Sequence, residues 1–319
     1  MAQHPVLPPA LPAERREITG EAGRLSYYVA GEGPPMLLVH SINAAGSAYE
    51  VRPIFERMQA ERRVYAPDLP GFGFSDRSPR RYDAALYVAA IHDMLDAIAA
   101  KAGAEPVDAL ALSLSSEFLA RVAIERVEDL RSLALVTPTG FGRGSAERRG
   151  PPGSSREVPL LYGLFTFPLW SKAFYDLLVS RRSIRYFLRK TFGSQQIDEG
   201  LADYDYLTSH QPGALHAPYA FVSGRLFSND IRTVYEKLSL PVWMPHGTRG
   251  DFKDFSEAGW TKARPNWTVQ AYATGALPHF EQPEAFCEAY RRFLAEAAPA
   301  DSIIPPVPGP DRSGRSGAA

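Results

Sequence analysis

A serine at the end of an apolar run is the first residue of this chain with the makings of a nucleophile. The stretch Ala109-Leu110-Ala111-Leu112-Ser113-Leu114-Ser115-Ser116-Glu117-Phe118 reads as strand, tight turn and helix. A serine on such a turn has a strained backbone and an exposed Oγ. The residues two before and two after it must be small, because their side chains would collide across the turn. Here they are Ala111 and Ser115, where glycine is usual. Alone the pattern is a weak signal: a serine after a strand also serves as a helix N-cap, and Ser115 and Ser116 are candidates for that cap. A serine hydroxyl becomes a useful nucleophile only when a histidine takes its proton, and that histidine needs a carboxylate to fix its tautomer. Of the seven histidines, His4 lies in a Pro-rich N-terminus, His92 in a helical run, and His210 and His216 in an irregular middle region. His40 and His246 sit at strand ends, and His279 lies between the last strand and the last helix.

These residues need elements to hold them. Leu25–Val29, Met36–Val39, Val64–Ala66, Val107–Leu112, Ser132–Val136, Pro241–Met244 and Trp267–Ala271 read as short apolar strands. Val51–Gln59, Ala84–Ala100, Phe118–Ile124 and Pro283–Ala295 carry apolar residues at helical spacing. Strands alternating with helices imply a mostly parallel sheet covered on both faces. From about 141 to 235 the alternation stops, and helical pieces rich in Leu, Phe, Tyr and Trp take over. That stretch is too long for a loop and reads as a helical insertion capping the sheet. The expected organisation is a flexible segment at 1–19, a core at 20–140 and 236–298, a helical cap at 141–235, and a disordered Pro/Gly/Ser tail at 299–319.

Together with the serine turn, three further segments carry a family resemblance. They are Leu37-Leu38-Val39-His40-Ser41, Ala66-Pro67-Asp68-Leu69-Pro70-Gly71-Phe72-Gly73-Phe74-Ser75-Asp76 and Leu277-Pro278-His279-Phe280-Glu281-Gln282-Pro283. In this order the chain resembles the capped members of the α/β-hydrolase superfamily from about Leu25 to Leu294. The resemblance implies the fold of that superfamily, with Ser113 as nucleophile and His279 as base. It gives His40 a structural part in shaping the oxyanion loop. It assigns the oxyanion hole to the N–H groups of Leu114 and Ile42, with Ser41 standing where glycine is common. The acid has two customary places. The first reads Thr137-Pro138-Thr139-Gly140 and has no carboxylate. The second follows His246-Gly247 and offers Asp251, with Asp254 as the alternative; the usual spacing from that glycine is one residue shorter than Asp251. An aspartate nucleophile, as in dehalogenases and epoxide hydrolases of this superfamily, is absent.

Composition bounds the rest. The 319 residues carry 35 Lys and Arg against 36 Asp and Glu, a formal net charge of −1, which gives no footprint for nucleic acid. One cysteine, Cys287, allows neither an internal disulfide nor a Cys-based zinc site. The longest strongly apolar, charge-free stretch, Val158–Ser171, is too short to span a bilayer and is broken by Pro159, Gly163 and Pro168. A cytoplasmic setting is expected. Gly71-x-Gly73 lacks the third glycine of a dinucleotide site, no Walker or His-Glu-x-x-His pattern occurs, and no cofactor or metal is implied. The basic run Arg181, Arg182, Arg185, Arg189 and Lys190 is read as a solvated outer face, with weak peripheral membrane contact as its alternative. The expected function is that of a cofactor-independent serine hydrolase with a Ser113–His279–Asp251 triad, forming an acyl-enzyme from a hydrophobic small-molecule ester. The same scaffold supports C–C bond hydrolysis, perhydrolysis or lyase chemistry, and a non-catalytic ligand-binding member is the alternative from outside enzymology.

Overall fold

The computed structural model describes residues 4–103 and 105–297. Eight strands form one sheet: β1 (Glu14–Gly20), β2 (Gly23–Ala30), β3 (Pro35–Val39), β4 (Arg63–Pro67), β5 (Val107–Leu112), β6 (Leu130–Val136), β7 (Val242–Gly247) and β8 (Trp267–Tyr272). Their spatial order is β1-β2-β4-β3-β5-β6-β7-β8. The pairs β1/β2 and β2/β4 are antiparallel and all later pairs are parallel.

Alternation along the strands divides the core in two. Leu37, Val39, Ala109, Ala111, Leu133 and Leu135 face one way, onto Ile91 and Leu95 of α2 (Ala84–Ala102) and Phe118 and Val122 of α3 (Ser115–Glu125). Met36, Leu38, Leu110, Leu112, Ala134 and Val136 face the other way. They meet Ile54 and Phe55 of α1 (Arg52–Met58) and the C-terminal helix described below. Every residue of β5 is buried, which explains why its sequence, VDALAL, lacks a polar face. The strand that sequence reading missed is β1. Residues 1–19 are expected to be loose, yet Glu14–Gly20 pairs residue for residue with β2, and Ala10 and Leu11 are buried. As an edge strand with mostly exposed side chains, ERREITG carries no apolar alternation to reveal it. The expected disordered tail, 299–319, lies outside the described residues.

Between β6 and β7 the chain forms six helices. These are α4 (Pro159–Phe165), α5 (Ser171–Leu178), α6 (Arg181–Phe192), α7 (Glu199–Ser209), α8 (His216–Val222) and α9 (Ile231–Glu236). Several large apolar residues of this stretch face solvent: Leu160 and Leu169 are each 82% exposed and Leu177 is 70% exposed. Buried Glu117 of α3 ties this stretch to the sheet, accepting from the Thr139 hydroxyl and, at 2.9 Å, from the Ser228 N–H. Arg121 and Asp230 form a second tie. The basic run on α6 is largely paired: Arg181 with Asp203, Arg185 with Glu199 and Lys190 with Asp251. No helix among the described residues is long and apolar enough to cross a membrane.

Two helices close the chain: one turn, α10 (Pro278–Glu281), and α11 (Pro283–Glu296). Trp243 of β7 stacks on Tyr290 of α11 with centroids 5.3 Å apart and touches Phe286 and Phe293. Replacing this fully buried indole, Trp243→Ala, is expected to destabilise the fold by about 3–5 kcal/mol. Urea unfolding checks it; a loss under about 1 kcal/mol would mean that β7 and α11 repack without it.

Candidate active site

Ser113 has φ +51° at the junction of β5 and α3 and is partly exposed. A positive φ on a non-glycine residue is a strained conformation that the surroundings must impose. The Ser113 N–H donates to the Val136 carbonyl at 2.9 Å, which anchors the turn to β6. Ser115 and Ser116 are not caps: the N-cap position falls on Leu114, without a side-chain bond. The Ser115 hydroxyl donates to the His40 carbonyl at 2.6 Å and Ser116 to the Ala111 carbonyl at 3.2 Å. Ser115 therefore links the elbow to the loop after β3.

That loop is held by a carboxylate. Buried Glu50, just before α1, accepts from the Ser41 N–H at 2.7 Å and from Asn43 Nδ2 at 2.6 Å. Burial raises its pKa, and those bonds pull part of it back. Among the described residues no hydrogen bond consumes the N–H of Ile42 or of Leu114, the two donors assigned to the oxyanion hole. His40 is structural in the way expected. Its Nδ1 meets the Ser41 carbonyl at 2.6 Å and its Nε2 accepts from the Leu69 N–H at 2.9 Å, so the ring is neutral with the proton on Nδ1. Complete burial pushes its pKa down to about 4. Buried Asp68 orders the same region, accepting from the N–H groups of Ala48 and Phe74 at 3.0 Å each.

His279 sits in α10, fully buried, and burial lowers its pKa to about 4. Its Nε2 lies 2.8 Å from the Glu50 carbonyl. A carbonyl only accepts, so Nε2 carries the proton and Nδ1 holds a lone pair. Nδ1 is buried without a partner. No hydrogen bond joins His279 to Ser113 among the described residues.

The expected acids stand elsewhere. Asp251 is exposed, and its carboxylate binds Lys190 Nζ at 2.7 Å instead of His279. Asp254 is also exposed; it accepts from the N–H groups of Arg143 and Ser256, which holds its pKa down to about 2. The position with the customary spacing is Gly250, at φ +77°, where a Cβ would lie 2.4 Å from the Lys190 carbonyl. The end of α6 packs too closely there to admit any side chain.

Sequence reading missed two buried carboxylates of this region. One is Glu50, an acid inside the apolar run before α1. The other is Asp205 on α7, four residues after Leu201 and three after Ala202 on the helix's buried face. Both interrupt an apolar face, which is the signal that could have found them. Asp205 is 6% exposed and its Oδ1 has no partner. Burial, then the charges of Glu50 and Asp198, raises its pKa well above the carboxylate range. Thr137, which also has a positive φ, +47°, donates its hydroxyl to the Ala276 carbonyl at 2.8 Å and so steadies the segment leading to His279.

Residues 36–289 match the alpha/beta hydrolase family. A 2-hydroxymuconate semialdehyde hydrolase of Pseudomonas putida is 31% identical over 134 residues, covering 42% of this chain and 46% of that protein. A second, from Pseudomonas sp. (strain CF600), is 25% identical over 207 residues, 64% of each chain. The chain thus spans between about half and two thirds of the length of these relatives. Among solved structures, a serine hydrolase involved in carbazole degradation superposes with a TM-score of 0.69 at 17% identity, covering 89% of this chain and 99% of the other. A meta-cleavage product hydrolase from Pseudomonas fluorescens IP01 gives a TM-score of 0.66 at 19% identity, with 89% and 98% covered. At these identities the superpositions speak for the fold.

Burial of His40 makes a prediction with a definite sign. Above the ordinary value of 6.5 neither the folded nor the unfolded form is protonated at His40, and the group contributes nothing to the pH dependence. As pH falls from 6.5 towards about 4, only the unfolded chain takes up the proton, so folded stability is lost. The loss amounts to roughly 3 kcal/mol. The advantage of the native chain over His40→Gln should therefore shrink by that order between about pH 7.5 and pH 4.5. Urea unfolding of both chains measures it, and a constant difference would refute a buried, neutral His40.

Proposed function

The chain belongs to the α/β-hydrolase family, and from that premise we propose that it is a hydrolase attacking the carbonyl carbon of an apolar small molecule with Ser113. The observation that carries this reading is Ser113 itself, strained to φ +51° at the strand–helix turn and partly exposed. In this reading His279 accepts the Ser113 proton once Nε2 leaves the Glu50 carbonyl. The N–H groups of Leu114 and Ile42 then hold the developing oxyanion. His279 returns the proton to the leaving group, and water, activated by the same histidine, releases the acyl group. The helical stretch at 141–235 acts as a cap whose apolar side chains receive the substrate. A cytoplasmic setting belongs to the same reading, in keeping with Cys287 buried as a free thiol.

An ester is the leading substrate class, since a serine, a histidine and two oxyanion donors are the groups that act on an acyl carbonyl. Hydrolysis of a C–C bond next to a carbonyl is the second reading, favoured by the relatives named as 2-hydroxymuconate semialdehyde hydrolases.

A fluorophosphonate probe tests the common step. It should label the native chain one-to-one, fail on Ser113→Ala, and react at least about 100-fold more slowly with His279→Ala. A folded native chain that resists a probe small enough to pass the cap would count against hydrolysis and leave ligand binding as the function. Product analysis with matched ester and vinylogous ketone substrates then separates the two substrate classes.

A further inference from the structure

His279 lacks the partner its role requires, and the customary source of that partner is closed. Gly250 cannot carry a side chain beneath the Lys190 carbonyl, Asp251 is bound to Lys190, and Asp254 caps the turn at Arg143. An imidazole without a carboxylate on Nδ1 settles into the wrong tautomer, and His279 has done so, with its Nε2 proton on the Glu50 carbonyl.

One buried carboxyl in this neighbourhood is unspoken for. Asp205 projects from the face of α7 that it shares with Leu201 and Ala202. Those two residues cluster with Tyr49, next to Glu50, and with Leu277 and Phe280, which bracket His279. Asp205 also lies near enough to Glu50 for the two charges to repel, and the Glu50 carbonyl is the atom that His279 Nε2 touches. Asp205 Oδ1 and His279 Nδ1 are both buried and both unpaired. They are complementary, because Nδ1 is an acceptor and a carboxyl kept neutral by burial is a donor. A buried polar atom left unpaired is destabilising where it is. The charged groups that act on Asp205 are Glu50, before α1, and Asp198, at the start of α7 itself; neither is a cation that would hold its charge.

We propose that Asp205, carried by the cap helix α7, is the carboxyl partner of His279 Nδ1. This assignment rests on the hydrolase reading of Ser113 and His279. The pair exists in two forms that differ by one proton. In the protonated form Asp205 donates its O–H to Nδ1, and Nε2–H stays on the Glu50 carbonyl. Loss of one proton to solvent gives an Asp205 carboxylate that accepts Nδ1–H. Nε2 then has the lone pair needed to take the proton of Ser113. Because the acid sits on the cap, the base is complete only while α7 is docked against the Tyr49 turn and α10.

The test compares Asp205→Asn with Asp251→Asn in the full chain, reading fluorophosphonate labelling and the 15N shifts of the His279 ring. Asparagine keeps the shape of aspartate but donates to Nδ1 at every pH. Asp205→Asn should therefore lock His279 with its proton on Nε2 and slow labelling at least about 100-fold, while Asp251→Asn stays within about twofold. A lost labelling rate in Asp251→Asn with Asp205→Asn unaffected would overturn the assignment, and so would native-rate labelling of both. Should Asp205→Asn fail to fold, the native chain decides: an Nδ1 shift typical of an unbonded acceptor at every pH rejects the pairing. A native chain that never labels rejects the hydrolase reading instead, and the ring shifts still report on the pairing.

Discussion

The buried carboxylate of Glu50 is the constraint on which the top of the sheet depends. A carboxylate stripped of water is tolerated only when donors replace that water, and here they are the Ser41 N–H and the Asn43 amide. Satisfying Glu50 therefore ties down the loop after β3, in which the Ile42 N–H has no partner among the described residues. Asp68 grips the same region from the end of β4 through the N–H groups of Ala48 and Phe74. Between them His40 bridges the Ser41 carbonyl and the Leu69 N–H. The backbone carbonyl of the same residue also receives His279. A single residue thus couples the loop after β3 to α10.

This arrangement explains departures from the family pattern that looked damaging in the sequence. Ser41 in place of glycine is harmless, because what the loop needs from that position is its N–H, which Glu50 takes. Ala111 and Ser115 flank Ser113 without obstructing the turn, and Ser115 adds a bond to the His40 carbonyl that glycine could not make. Strain at Ser113 is matched at Thr137, the other non-glycine residue with positive φ among those described. Their strands are neighbours, and the Ser113 N–H is tied to the carbonyl of Val136, the residue before Thr137.

Much of this was legible because burial writes itself into apolar spacing. The central strands and the helices α1, α2, α3 and α11 follow from it, and the strand–helix turn at Ser113 was legible from its small neighbours. Edge strand β1 escaped because its side chains face water on both sides and pairing alone makes it a strand. The surroundings of Asp251 escaped for a different reason. Asp251 was the nearest carboxylate along the chain, but proximity in sequence says nothing about which way a loop turns, and packing of α6 turned this one towards Lys190. Glu50 and Asp205 are charges on apolar faces, visible as anomalies but without spacing that names a partner.

The end of α6 and the loop after β7 are packed as one unit. The end of α6 lies on the loop after β7: the Asp251 N–H donates to the Lys190 carbonyl at 3.1 Å, and Gly193 and Gly250 approach so closely that neither tolerates a Cβ. Seating α6 there leaves no room for a side chain at position 250. α7 packs against α6 through Ile184, Leu188 and Leu201, and the surface pairs Arg181–Asp203 and Arg185–Glu199 join the same two helices. A fold held by a margin of about 5–15 kcal/mol gains nothing in stability from two unmatched buried polar atoms. Leucine at position 205 would serve packing better than aspartate. Keeping a buried, unpaired carboxyl there is costly as structure, and such carboxyls concentrate at functional sites.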